Sequence, residues 1–221
     1  MAKPFTVGIL AYKREHSIRH LLASIKASKL QPTETIIIDN GGEYKDTPDG
    51  ITLIKPGWNT GVARSFNMLR ALCPHDDLIL CNDDVQLGPE TLGALVDADP
   101  KHGLVFLQDP TTLFAGGYTC FNWRSMGYQL LGGFDEAFYP AYYEDVDMTR
   151  RMVVSGLPGH LFGLVQAAIS HVKHETREYW YKALVIANRE RYISKWGGYE
   201  GEETYTQPWN LIGLDLRDVP R

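Results

Sequence analysis

A continuous apolar run, a helical period and a second apolar run that closes on an acid follow one another at the start of this chain, and this succession most narrows the folds open to it. Residues 5–12, Phe-Thr-Val-Gly-Ile-Leu-Ala-Tyr, have the length and apolarity of a strand buried on both faces. Lys13-Arg14-Glu15-His16 interrupts the run. From Ser17 the spacing of Ile18, Leu21, Leu22 and Ile25 places four apolar side chains on one helix face, up to about Ser28. Thr35-Ile36-Ile37-Ile38 then runs into Asp39-Asn40-Gly41-Gly42. Strand, crossover helix and strand make a βαβ unit. Its parallel strands deliver polar residues to one sheet edge, where open α/β sheets bind ligands.

The pattern continues. A strand at 51–54 leads into Pro56-Gly57-Trp58-Asn59-Thr60-Gly61 and a helix over 62–72 that buries Val62, Phe66, Leu69 and Cys73. Arg64 lies in the first turn of that helix, where backbone N–H groups and a cation together suit a phosphate; a solvated surface arginine fits the position equally. A fourth strand at 77–81 delivers Asn82-Asp83-Asp84 at its carboxyl end, ahead of Val85-Gln86-Leu87 and a helix from Pro89. Two adjacent acids closing an apolar strand suit Mg²⁺ or Mn²⁺ bridging to a diphosphate, because hard cations take oxygen ligands and keep positions open for substrate. A polar turn is the competing explanation.

Residues 103–106 and 114–122 read as further strands, followed by Trp123-Arg124 and a short helix over 125–131. Beyond Gly132-Gly133-Phe134-Asp135 comes the densest stretch of chemistry, Phe138-Tyr139-Pro140-Ala141-Tyr142-Tyr143-Glu144-Asp145-Val146-Asp147-Met148-Thr149-Arg150-Arg151. A helix over 144–155 turns Val146, Met148, Met152 and Val153 inward, its acidic first turn suits the helix dipole, and Asp147 can pair with Arg151 four residues on. The aromatic approach asks for more than that. Aromatic walls beside a carboxylate exclude water, raise its pKa and offer flat faces to a sugar ring, as a general base requires.

Ala167-Ala168-Ile169-Ser170 leads to His171 and His174, either of which suits Mn²⁺ as an imidazole ligand or serves as an ordinary hydrogen-bonded histidine. An amphipathic helix over 176–196 carries Tyr179, Trp180, Tyr181 and Tyr192 among basic residues. It is read as a core-covering helix, with peripheral membrane contact or a second subunit as other uses of its face. Gly197-Gly198 ends it, and 199–221 is expected to drape over the domain.

With 44% hydrophobic residues in 221, the chain can bury a core. A net charge of −5 argues against a duplex nucleic-acid surface. Cys73, Cys81 and Cys120 show no metal-ligand pairing and read as free thiols. No apolar run spans a bilayer and no signal-peptide core follows Met1, so a soluble, cytoplasmic protein is expected.

In order and spacing, residues 6–14, 36–42, Asn59-Thr60-Gly61 through Asn67, 80–85 and 132–151 resemble the family 2 glycosyltransferases, closest to their rhamnosyltransferase-like branch. The resemblance implies a single α/β domain of GT-A fold, a Rossmann-like, mostly parallel sheet flanked by helices. Its nucleotide-sugar-binding half would span about 1–98, its acceptor half about 99–198. It further implies a hexosyltransferase-type enzyme with a UDP- or dTDP-linked donor, a saccharide or glycan acceptor, Mn²⁺ or Mg²⁺, and inversion at the anomeric carbon. Carried over by position, Ala11, Tyr12 and Arg14 line the nucleotide pocket, Asp39 contacts base or ribose, and Arg64 lies near the donor. Asn82-Asp83-Asp84 stands for the acidic triplet, with Asp84 the principal metal contact, Asp83 beside the substrate and His171 a further ligand. Gly117, Trp123 and Arg124 face donor and acceptor; core burial of Trp123 and a surface Arg124 are the alternatives. Asp145 is the base and Glu144 its neighbour in the site. Ala11 stands where the family commonly has threonine, and Asn82 where the triplet commonly begins with an acid. A nucleotidyltransferase or a non-catalytic sugar-nucleotide-binding protein would share the fold.

Overall fold

The computed structural model describes residues 3–13, 15–45, 49–108, 117–156, 161–171 and 179–211, without the side chains of 171 and 179–181. Along the chain run β1 (Phe5–Ala11), α1 (Glu15–Lys26), β2 (Glu34–Asp39), β3 (Ile51–Ile54), α2 (Gly61–Leu72), β4 (Asp77–Asn82), β5 (Val85–Leu87) and α3 (Thr91–Val96). There follow β6 (Leu104–Gln108), β7 (Cys120–Trp123), α4 (Ser125–Leu131), α5 (Glu144–Val154), β8 (Phe162–Gln166), β9 (Ile169–His171) and α6 (Tyr179–Trp196).

Seven strands form one sheet in the order β3-β2-β1-β4-β7-β6-β8. All pairings are parallel except those of β7, which runs antiparallel to both β4 and β6. The chain builds outward from β1 to β3 on one side and then restarts with β4 on the other. That reversal between β1 and β4 is the switch point at which crossovers leave to opposite sides and a crevice opens. The carboxyl ends of β1, β2 and β4 share this edge, because Ala11 pairs with Asp39 and Leu10 with Asn82. A small antiparallel pair of β5 and β9 lies apart from the main sheet.

Strand alternation divides the core into two layers. Phe5, Val7, Ile9 and Ala11 face α1 and α3 through Ile18, Leu21, Ile25, Leu92 and Leu95. Leu10, Ile36, Ile38, Leu78 and Leu80 face α2 and α5 through Phe66, Leu69, Met148 and Met152. Gly8 sits where α2 crosses closest, since a Cβ there would lie 3.2 Å from methyl carbons of Leu69 and Leu78. Helix α6 adds a third cluster, in which Tyr192 and Trp196 close over Phe138.

The structure departs from the sequence reading in three local respects. Val153, expected to face inward, is exposed, because Met148 and Met152 already fill the side of α5 that meets the sheet. Residues 117–119 form a 3-10 turn ahead of a shorter β7, rather than part of one long strand. The sequence reading places no strand at β8, although Phe162-Gly163-Leu164-Val165 is apolar; its outward Phe162 and Leu164 are half-exposed on this edge.

Candidate active site

Three loops converge on the switch point. Asp39, at the end of β2, is buried, and both its oxygens are committed to the loop that follows: Oδ1 accepts from the N–H groups of Gly41 (3.1 Å) and Gly42 (2.9 Å), Oδ2 from that of Tyr44 (2.9 Å). Gly41 has no room for a side chain, as a Cβ would lie 2.5 Å from the backbone nitrogen of Lys13. The loop after β2 is thereby folded against the loop after β1. Across the switch point, the N–H of Tyr12 donates to Asp83 Oδ2 at 3.0 Å. Ala11 is buried in the strand beneath them, and its carbonyl accepts from Asn40 N–H at 2.9 Å. Arg14, assigned to the nucleotide pocket, lies outside the described residues.

Hard oxygen donors gather at the end of β4. Asp83 and Asp84 follow Asn82, whose Oδ1 is buried without a hydrogen-bond partner among the described residues. Val85 pairs with His171, so β9 carries that histidine past the residue next to Asp84; His174 lies outside the described residues. Among the described residues no three His, Cys, Asp or Glu side chains come together as a closed metal cage. This donor set fits a Mg²⁺ or Mn²⁺ that takes one or two protein oxygens and completes its shell with phosphate and water.

Glu144 and Asp145 open α5. Glu144 is buried with Oε2 unpartnered among the described residues, and burial, reinforced by the adjacent Asp145, pushes its carboxyl up to about 8. Burial also raises Asp145, which accepts the N–H of Val146 on Oδ1 at 2.9 Å. Thr149, one turn on, donates to the Asp145 carbonyl (2.9 Å) and meets the Tyr118 hydroxyl at 3.2 Å. Gly117 opens the turn that carries Tyr118, with a φ of 48° and open space at its Cβ position.

The raised Glu144 carboxyl couples stability to pH. Its folded value of about 8 lies above the ordinary 4.5, so between those limits the folded protein keeps a proton that the unfolded chain has lost. The contribution of this group is complete at low pH and lost as pH rises through the window. Urea midpoints of the parent should therefore fall from about pH 4.5 to 8 more steeply than those of Glu144→Gln, which cannot ionise. Parallel pH profiles would contradict the burial of this acid.

Asp147 points away from this pair. It accepts from Arg151 Nε (2.9 Å), Trp196 Nε1 (2.9 Å) and Lys195 Nζ (2.7 Å), and Lys195 reaches Asp135 at 2.7 Å as well. Arg151 also donates to the carbonyls of Leu131 (2.6 Å) and Gly133 (2.8 Å). In the sequence Lys195 is one of several basic residues on the last helix; its burial against Asp135 and Asp147, far away in the chain, gives it this role.

Arg64 is half-exposed at the start of α2, over the Trp58 ring (5.2 Å) and 3.9 Å from Glu136. Just ahead of it, Asn40 accepts from Thr60 N (3.2 Å) and Thr60 Oγ1 (2.8 Å) and donates to Ser65 Oγ (2.9 Å). This buried network ties the β2 loop to the helix start. It could have been suspected from Asn40 beside Asp39, but not its partners.

Trp123 and Arg124 require correction. Trp123 is buried in the sheet core against Phe134 and Tyr128, and Arg124 is neither in the crevice nor on the surface. Its five N–H groups are spent on Asp77 Oδ1 (2.7 Å) and on the carbonyls of Val96, Ala98, Asp99 and His102. Asp77 begins β4, so this arginine closes the sheet edge opposite the switch point and caps the end of α3.

A family model described as "Glycosyl transferase family 2" matches residues 6–172. No curated protein matches the sequence. Among solved structures, the chain is similar to a mannosyltransferase from Pyrobaculum calidifontis in complex with GDP-Man and Mn²⁺ (16% identity, TM-score 0.59, 87% of this chain and 65% of that one). It is similar to glucosyl-3-phosphoglycerate synthase from Mycobacterium tuberculosis in complex with Mn²⁺, UDP and phosphoglyceric acid (14%, 0.61, 85% and 77%). It is also similar to residues 1–349 of TarS from S. aureus (14%, 0.55, 74% and 57%). The chain thus spans under two thirds of the mannosyltransferase and of the TarS fragment. At these identities the likeness is one of fold, and that fold is GT-A.

Proposed function

Since the chain belongs to glycosyl transferase family 2, we propose that it moves a sugar from a nucleoside-diphosphate donor to an acceptor hydroxyl, with inversion at the anomeric carbon. The observation that carries this reading is the bond from Tyr12 N–H to Asp83 across the β1/β4 switch point, with Asp39 and Asp84 on the same edge. A crevice of that kind takes a nucleotide.

The nucleoside lies over Ala11, Tyr12 and the loop braced by Asp39, and the donor is UDP- or dTDP-linked. Asp84 would be the chief protein ligand of Mn²⁺ or Mg²⁺, with His171 a further ligand and Asp83 beside the substrate. The bound ion supplies charge neutralisation of the departing diphosphate. Arg64 and the 117–118 turn flank the donor sugar and its phosphates. Asp145 removes the proton of the acceptor hydroxyl as that oxygen attacks the anomeric carbon from the face opposite the diphosphate, so no covalent intermediate is formed. Glu144, with its carboxyl at about 8, is largely neutral at pH 7 and donates a hydrogen bond to a sugar hydroxyl. Its neutrality leaves the negative charge of the pair on Asp145. The acceptor is a saccharide or glycan approaching past Tyr139 and Tyr142, both half-exposed.

A panel of nucleotide sugars scored by nucleoside diphosphate release, with and without Mn²⁺, tests the reading. Release should need both metal and acceptor. A chain that binds donors but releases nothing from any of them is a binding protein of the same fold. Within that panel, Asp84→Ala should lose metal-dependent donor binding while keeping the parent's circular dichroism. Donor affinity indifferent to both EDTA and this substitution would remove the metal from Asp84.

A further inference from the structure

The segment at 139–142 that precedes Glu144 and Asp145 has all four of its carbonyls held. That of Pro140 accepts from Val62 N–H in the first turn of α2 at 2.8 Å. Those of Tyr139, Ala141 and Tyr142 accept from a single nitrogen, Nδ2 of Asn188 in α6, at 3.3, 2.9 and 3.1 Å. An amide nitrogen carries two hydrogens, so one of them is shared between two carbonyls, and Asn188 spends its full donor capacity here. Asn188 is itself buried.

The segment needs such a grip. Tyr142 and Tyr143 have φ values of 77° and 73°, a left-handed pair that is strained for bulky residues and persists only where the surroundings enforce it. Tyr143 is the residue from which α5 departs, so relaxation to negative φ would re-aim the peptide carrying Glu144 and Asp145. Two further contacts pin the ends. The Tyr139 hydroxyl donates to the Asn59 carbonyl at 3.1 Å, and the Tyr143 ring packs against Tyr192 with centroids 5.7 Å apart. Gly61 leaves room for this docking, since a Cβ on it would lie 2.9 Å from both the Pro140 carbonyl oxygen and the Tyr139 ring.

We propose that Asn188 is a positioning residue for glycosyl transfer, its amide holding the 139–142 carbonyls so that Glu144 and Asp145 are presented to the acceptor in one orientation. This rests on the reading of Glu144 and Asp145 as the reacting pair. Asn188 touches no substrate; it acts through the backbone of the loop. The nucleotide edge of the sheet is built from other residues, so the loss should fall on turnover and not on donor binding.

The test compares Asn188→Ala, Asn188→Ser and Tyr192→Phe. Tyr192 lies one turn further along α6 and donates its hydroxyl to Glu203; phenylalanine keeps the ring that packs on Tyr143 and removes only the Glu203 contact, so this substitution loosens the same helix without releasing the loop. Asn188→Ala should lower kcat by about a hundred-fold, the cost of misplacing a reacting group by an ångström, with donor KM unchanged and faster amide exchange confined to 139–145. Asn188→Ser keeps one donor and should fall between Ala and the parent; it decides the matter should the alanine variant not fold. Tyr192→Phe should lower Tm and leave kcat in place. A folded Asn188→Ala with full kcat, or a Tyr192→Phe that loses kcat as severely, overturns the proposal alone. A parent that releases no nucleoside diphosphate from any donor overturns the transfer reading, and this proposal with it.

Discussion

Asp145→Asn should cut turnover by about a hundred- to ten-thousand-fold, the usual contribution of general-base catalysis, while donor affinity barely changes. The amide keeps the shape of the carboxylate and can still accept the Val146 N–H, but it cannot take a proton. The neighbours divide the possibilities. Glu144, more deeply buried and pushed to about 8, holds its proton at neutral pH and is a poor acceptor until the pH is raised. Asp147 has both oxygens engaged by Arg151, Trp196 and Lys195, none of which a substrate can displace without unpairing a buried charge. Single-turnover transfer rates for Asp145→Asn, Glu144→Gln and Asp147→Asn discriminate among them. Near-normal transfer by Asp145→Asn, or a collapse confined to Glu144→Gln, would shift the base to its neighbour.

Lys195→Met should cost about 3–5 kcal/mol of stability, the scale seen when one partner of a buried ion pair is removed. The ammonium has no exposure, and it lies 2.7 Å from both Asp135 and Asp147. With Arg151 these groups form a cluster of two cations and two carboxylates; methionine fills much of the space but leaves one carboxylate uncompensated in a dry environment. Phe138, Trp196 and Trp209 all lie within 6 Å of the ammonium by ring centroid, so water has little access to substitute for it. Urea unfolding should show a lower midpoint with an unchanged slope, and a second substitution, Asp135→Asn, should recover part of the loss by removing the stranded charge. A loss below about 1 kcal/mol, the range of an exposed pair, would mean that water reaches the cluster. Since Asp147 belongs to it, Asp147→Asn is expected to lose stability, in contrast to Asp145→Asn.

The strands and helices nearest the amino terminus were the most legible. The apolar run at 51–54 is β3 to the residue, its side chains partly buried, and the helical period read from Ser17 to about Ser28 overlaps α1, which begins at Glu15, ends at Lys26 and buries Ile18, Leu21 and Ile25. The sequence reading places no strand at β8, although Phe162-Gly163-Leu164-Val165 is apolar: Gly163 interrupts the run, and Phe162 and Leu164 lie half-exposed on the sheet edge. Val153 breaks its own period for a similar reason: it has the right spacing on α5 but no element packed over it.

The stretches that the sequence marks as unusual, Asn82-Asp83-Asp84 after an apolar strand and Glu144-Asp145 behind a wall of aromatics, lie at the end of β4 and the start of α5. Trp123 and Arg124 misled, since an aromatic and a cation side by side look the same in a list of residues whether they line a cleft or close a core. Arg124 differs only in that five acceptors surround it, and four of those are backbone carbonyls, which no side-chain pattern announces.

Periodicity and turn chemistry are local, so the sequence by itself determined the order of strands and helices from β1 to β4, the edge at which the polar loops gather, and the pairing of Asp147 with Arg151 one turn along its helix. Burial and ionisation depend on what packs from far along the chain, and these only the tertiary structure decided. Lys195 meets Asp135 sixty residues away, Asn188 grips a loop more than forty residues before it, and Arg124 reaches back to Asp77. Burial likewise dehydrates Glu144 and pushes its carboxyl up to about 8, while Asp145 beside it in the chain is less deeply buried.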